Sequence, residues 1–126
     1  ALKQLYPDVQ DIEWSQKGVY YVADCWVNGS ELDVWFDANA NWIMTEMEIF
    51  REQLPAAVNT AYEESGYGDW VIDNLTKLTF PHKSEEFVFE VQRGAQERAL
   101  YYSAYGGLLL EKDITDADDT HWPDVE

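Results

Sequence analysis

The chain has 126 residues, 46% of them hydrophobic and 15% aromatic, which supplies one compact core and excludes global disorder. Its 25 acidic residues against 8 basic ones give a formal charge of −17, so nucleic acid and anionic membrane surfaces are excluded as partners, and a cation, a basic protein or a neutral one remains. No run approaches the roughly 18 apolar residues of a membrane span, and the opening at Ala1 rather than Met reads as a processed or trimmed product.

Ala1–Leu5 reads as the last turn of a helix, stopped by Tyr6-Pro7 because the residue before proline is pushed out of the helical region. The opening turns of that helix are expected to be missing. Val9–Trp14 alternates as a short strand that turns back at Lys17-Gly18. Val19–Val27 follows as a strand with Tyr21, Ala23 and Cys25 on one face and Tyr20, Val22, Asp24 and Trp26 on the other. Asn28-Gly29 closes it, since both residues tolerate the positive φ of a type I′ hairpin. The same reading makes Asn28-Gly29-Ser30 a turn rather than a glycosylation site. Leu32–Asp37 alternates again, and Ala38–Asn41 turns the chain into Trp42-Ile43-Met44. Pro55–Ser65 is a helix with Pro55 at its first position, Leu54, Val58, Ala61 and Tyr62 on one apolar face, and Gly66 at its end. Trp70–Phe80 is a strand, Pro81–Glu85 a polar turn, and Glu86–Asp113 a second meander.

Sliding the sequence by 66, the spacing between Phe36 and Tyr102, lays Phe87, Phe89 and Val91 on Tyr21, Ala23 and Cys25. Leu100-Tyr101 falls on Val34-Trp35, Leu108–Leu110 on Trp42–Met44, and Gly106-Gly107 on Ala40-Asn41. The match runs without a gap from Tyr21 to Glu48, and Asn41 and Gly107 are expected to share a positive φ. The prediction is an α+β fold: two tandem helix-plus-four-strand repeats forming an antiparallel sheet with helices on one face. Residues 1–114 make one domain, with halves of about 1–50 and 51–114, and residues 115–126 make an acidic tail.

Tyr6-Pro7-Asp8 leading to Ile12-Glu13-Trp14, the hairpin pair ending in Phe36-Asp37, and the Leu54-Pro55 helix start together resemble the PepSY-like family, which is itself described as similar to beta-lactamase inhibitor proteins. The resemblance covers the chain apart from the tail. It implies a secreted or periplasmic bacterial protein. Its motifs are structural, so it carries over no catalytic residues.

Catalytic signatures are lacking. The sequence holds no glycine-rich phosphate loop, no G-x-S-x-G, no C-x-x-C and no H-E-x-x-H, and its only histidines are His82 in a turn and His121 in the tail. Cys25, on the expected core face, reads as a buried structural thiol. Calcium is the one cofactor to weigh. Asp37, Asn39, Asn41, Thr45 and Glu48 fall at the oxygen positions of an EF-hand-type loop, but Trp42 stands where that loop needs glycine. The second half has Ser103, Tyr105 and Gly107 for Asp37, Asn39 and Asn41, so no tight site is expected there. Asp113, Asp116, Asp118 and Asp119 are an alternative weak set.

The aromatic residues point further. With Tyr21, Ala23, Cys25, Leu32, Val34 and Phe36 toward the helices, Tyr20, Val22, Trp26, Trp35 and Tyr101 point away, among Asp24, Asp33, Glu86 and Glu90. Cross-strand aromatic pairing would serve stability alone. An exposed binding face of Tyr20, Trp26, Trp35 and Tyr101 would serve recognition, and resemblance to inhibitors that bind through a sheet face favours it. The expected function is a non-enzymatic secreted binding or inhibitor-like module that meets a basic or neutral protein or peptide. A calcium-responsive periplasmic protein is the alternative, and a small hydrolase the third reading.

Overall fold

The computed structural model describes residues 2–115. The chain runs α1 (Leu2–Leu5), β1 (Gln10–Lys17), β2 (Tyr20–Val27), β3 (Ser30–Phe36), β4 (Trp42–Glu48), a 3₁₀ turn at Arg51–Gln53, α2 (Ala56–Glu63), β5 (Val71–Thr79), β6 (Glu86–Arg93), β7 (Gln96–Ser103) and β8 (Leu108–Asp113). The strands form one eight-stranded sheet in sequence order, β1 to β8. Every neighbouring pair is antiparallel, including β4 with β5, where Thr45 faces Thr79 and Glu48 faces Thr76. The fold is α+β. No helix of the described residues is long and apolar enough to cross a membrane.

Turn chemistry sets the register. Asn28 and Gly29 take φ of 52° and 82°, the left-handed pair of a type I′ hairpin, and bring Val27 opposite Ser30. In the β3–β4 turn the left-handed residue is Ala40, at φ 64°, and in the β7–β8 turn it is Gly106, at φ 87°. The expectation had placed it one residue later, at Asn41 and Gly107. Ala40 N donates to Asp37 O at 3.0 Å and Gly106 N to Ser103 O at 3.0 Å, and closing the turn on that residue moves the reversal forward. β1 also runs on to Lys17, three residues beyond the expected Trp14, and Asp11 takes a φ of 54° where the β1–β2 register shifts.

The helices cover one face. Leu2 of α1 packs with Ala23, Cys25, Leu32, Val34 and Phe36, while Val58 and Tyr62 of α2 pack with Phe87, Phe89, Val91, Leu100 and Tyr102. Tyr62 stacks on Phe89 with ring centroids 4.2 Å apart and an interplanar angle of 6°. Cys25 is buried here, and its thiol is pushed up first by burial and then by Asp24 and Asp33, away from the reactive thiolate. Tyr21 departs from expectation: placed toward the helices, it is 43% exposed.

Candidate functional site

The face opposite the helices is where alternation sends Tyr20, Val22, Asp24 and Trp26 of β2. Directly opposed residues in an antiparallel pair share a face, so register carries the assignment across the sheet. Val22 faces Trp35, which faces Met44, and Val88 faces Tyr101, which faces Leu110. Val22, Trp35, Met44, Leu78, Val88, Ala99 and Tyr101 close into one buried cluster, with Tyr20, Ile43, Phe80, Leu110 and Ile114 packed at its margins. No helix residue belongs to it.

Two of the four expected binding residues are therefore not exposed. Trp35 is 0% and Tyr101 1% exposed, Tyr20 is half-buried, and Trp26 alone is open, at 43%. The physical reason is that side chains from seven consecutive strands, β2 to β8, pack on one another on this face. Tyr20 meets Trp35 edge-on at 5.7 Å, Lys17 Nζ lies 5.9 Å from the Trp35 ring, and Lys112 Nζ lies 5.0 Å from the Tyr101 ring. The cations cover aromatic faces that water would otherwise reach. Burial of an aromatic of this size contributes on the order of 2–3 kcal/mol, so Trp35 and Tyr101 belong to the core.

Beside this floor lies a row of carboxylates. Glu13 on β1 faces Asp24, Asp24 faces Asp33, and Asp33 faces Glu46, so adjacent strands set acid against acid. Trp26 faces Glu31 one row further on. Trp35 Nε1 donates to Glu46 Oε1 at 2.7 Å and ties floor to row. Burial raises the Asp33 carboxyl, Asp24 raises it further by its charge and a shared hydrogen bond, and Lys17 opposes them. Glu31 is raised by burial, then by Asp24, Asp33 and Glu48. Toward β8, Glu48, Asp73, Asn74, Glu90 and Glu97 line a cleft of 390 Å³. The sequence alone places Asp24, Asp33, Glu86 and Glu90 on this face but not Glu13, Glu31 or Glu46. Folding the chain back at Asn28-Gly29 puts Glu31 opposite Trp26, and that signal was available.

The calcium set does not assemble. Asp37 Oδ1 accepts from the backbone N–H groups of Asn39 and Asn41, both at 2.9 Å, and Oδ2 accepts from Asn41 Nδ2 at 3.1 Å. These bonds hold its carboxyl below the usual range, the Asn41 backbone bond first. Glu48 stands at the far end of β4, about 20 Å away at the rise of an extended strand, because residues 42–48 form a strand and not a loop. Among the described residues no group of three or more His, Cys, Asp or Glu side chains is placed to hold a metal. Asp113 accepts from Thr115 N at 3.0 Å and Thr115 Oγ1 at 2.6 Å and pairs with Arg98 at 3.2 Å; Asp116, Asp118 and Asp119 lie outside the described residues.

A family profile provisionally described as beta-lactamase-inhibitor-like and PepSY-like matches residues 19–110. A BLIP-like protein from Bacteroides fragilis is 56% identical and superposes with a TM-score of 0.91 over 97% of this chain and 87% of its own. A Bacteroides eggerthii protein provisionally called periplasmic is 32% identical, with a TM-score of 0.89 over 94% of this chain and 87% of its own. A domain-of-unknown-function protein from Bacteroides ovatus is 30% identical, with a TM-score of 0.92 over 98% of this chain and 89% of its own. No curated protein matches the chain.

Proposed function

Because this chain belongs to the beta-lactamase-inhibitor-like, PepSY-like family, we propose that it is a non-catalytic, inhibitor-like binding module of the bacterial envelope whose helix-free sheet face meets a protein or peptide. One observation carries the reading: the row Glu13, Asp24, Asp33 and Glu46 lies beside exposed Trp26 on a face that no helix residue joins. Trp26 supplies rigid contact area at the margin, and the buried Trp35 and Tyr101 hold the floor rather than touch the partner. Crowded carboxylates repel one another, and a Lys or Arg of the partner relieves that repulsion. The partner is accordingly basic or neutral, and the net charge of −17 steers it in. The provisional periplasmic description of a relative supports the envelope location.

The two halves are read as tandem repeats. In support, Tyr21 faces Phe36 as Phe87 faces Tyr102, and Val22 faces Trp35 as Val88 faces Tyr101. The register shifts before Phe36 and again before Tyr102. The acidic row belongs to the first half alone, where Asp24 and Asp33 stand in place of Glu90 and Ala99.

Capture from a Bacteroides envelope extract, followed by mass spectrometry, tests the proposal. Wild-type protein retains a specific protein that the double variant Trp26→Ala, Asp24→Asn does not, while the variant melts no lower than wild type. A specific protein held equally by both would place the binding surface elsewhere.

A further inference from the structure

The open sheet ends in β1 on one side and β8 on the other, and the two edges are built differently. β1 is guarded: Asp11 takes the positive φ of a bulge, the register with β2 shifts there, and Asp11, Glu13 and Lys17 put charge along the strand. β8 opens instead with Leu108-Leu109-Leu110, an apolar run that suits a strand buried on both faces rather than an edge. Leu108 and Leu109 are each 53% exposed. Among the described residues no strand pairs with the outer edge of β8. Its lysine gives no guard, because Lys112 Nζ is turned back over β7, 5.0 Å from the Tyr101 ring.

β4 shows the same kind of edge occupied. The offset of 66 lays Leu110 on Met44, Glu111 on Thr45 and Asp113 on Met47. The outer edge of β4 is taken by β5, which runs antiparallel from Thr79 opposite Thr45 to Thr76 opposite Glu48. The equivalent span of β8 is Glu111–Ile114. Charge then selects what can lie along it. Glu111 faces Leu100 and Asp113 faces Arg98, so both alternate onto the helix-bearing side, and both are exposed. Tyr67 Oη donates to Glu111, and Arg98 Nη1 lies 3.2 Å from Asp113, which leaves each carboxylate with further lone pairs to offer. On β5 the residue opposite Met47, the counterpart of Asp113, is Lys77.

We propose that β8 takes a further antiparallel strand from a partner protein: an extended segment with basic residues opposite Glu111 and Asp113 and apolar residues beside Leu108–Leu110. Main-chain hydrogen bonds to the open edge supply affinity, and the two carboxylates supply selectivity. A second copy of this chain fits the edge poorly. Two chains of charge −17 repel each other, and a two-fold pairing centred on Glu111 or on Lys112 would set like charges face to face. Trp26 lies on β2, toward the other edge of the sheet, so this assignment and the proposed partner face stand or fall separately.

The test is amide hydrogen exchange read residue by residue by NMR on the full chain, with and without a millimolar synthetic peptide. The probe is Thr-Lys-Leu-Lys-Val-Val-Thr, blocked at both ends and written to lie antiparallel with its lysines opposite Asp113 and Glu111. The expected result is a several-fold slowing of exchange within β8 and none within β1. No slowing in β8 overturns the proposal. The same peptide with glutamate for both lysines should have little effect, and equal slowing by it would overturn the basic character of the occupant. A version methylated on every backbone nitrogen cannot pair as a strand, so equal slowing by that version would mean adhesion of side chains and overturn the proposal too. Leu109→Lys should abolish the slowing while the amides of β6 exchange as in wild type, and slowing that survives it counts against the leucines as contacts. Finally, β8 amides that slow with rising protein concentration in the absence of peptide would make a second copy the occupant and overturn the assignment.

Discussion

The indole N–H of Trp35 donates to Glu46 at 2.7 Å, and that bond joins a fully buried floor to an acidic row. Glu46→Ala deprives a buried donor of this acceptor and should cost about 1–3 kcal/mol. Glu46→Gln keeps an acceptor oxygen within reach and should cost much less. Urea denaturation of both variants decides it. Equal losses would show that the charge of Glu46 matters and its hydrogen bond does not.

Gly29 and Gly106 separate backbone strain from helix packing. Both have positive φ, 82° and 87°, but a Cβ at Gly29 meets open space while one at Gly106 meets Ala57 O at 2.6 Å. Gly29→Ala should cost about 1–2 kcal/mol from left-handed strain alone. Gly106→Ala should cost clearly more, since α2 must move. Similar melting temperatures for the two variants would mean that α2 does not hold its place against the β7–β8 turn.

The crowded carboxylates predict a pH signature. Asp33 is raised by burial first and Asp24 second, so the folded protein holds this proton more readily than the unfolded chain does. The stability it contributes is fully present below its unfolded pKa of about 3.9 and is lost as pH rises through the raised folded value. Asp33→Asn should therefore raise the melting temperature near about pH 7 and have little effect near about pH 4. A gain of the same size at both pH values would remove the ionisation of Asp33 as its cause.

Asp37 titrates the other way. The Asn41 and Asn39 bonds favour its charged form, so its contribution is present above its unfolded pKa and disappears as pH falls through the lowered folded value. Asp37→Ala should lower the melting temperature at neutral pH and leave any heat of calcium binding in titration calorimetry unchanged. Calcium heat that vanishes with Asp37 would restore the hairpin as a metal site.

Much of the framework was legible in local chemistry. Asn28-Gly29 reads as a tight hairpin, and strict alternation through Tyr21–Val27 and Leu32–Phe36 assigned sides to both strands it joins. Alternation assigns a side and is silent on what packs there. Trp35 and Tyr101 pointed away from the helices as expected, yet the packing of side chains from seven strands on that face buried them. Tyr21 is exposed for the converse reason: its cover depends on residues outside β2, which no pattern within that strand reveals. Glu48 was grouped with Asp37 by loop spacing, but Trp42–Glu48 is extended and carries the two apart.

The central claim is that a partner meets Trp26 and the neighbouring acidic row. Its most direct test is the affinity of the captured protein for wild type, for Trp26→Ala, for the double variant Asp24→Asn, Asp33→Asn, and for Tyr21→Ala on the opposite face, each with its melting temperature. As an exposed residue, Trp26 should cost within about 0.5 kcal/mol of stability when truncated. The account predicts that Trp26→Ala and the double variant each weaken binding by about tenfold or more, that the acidic contribution shrinks in high salt, and that Tyr21→Ala binds like wild type. Undiminished affinity in both face variants, each melting no lower than wild type, would contradict it.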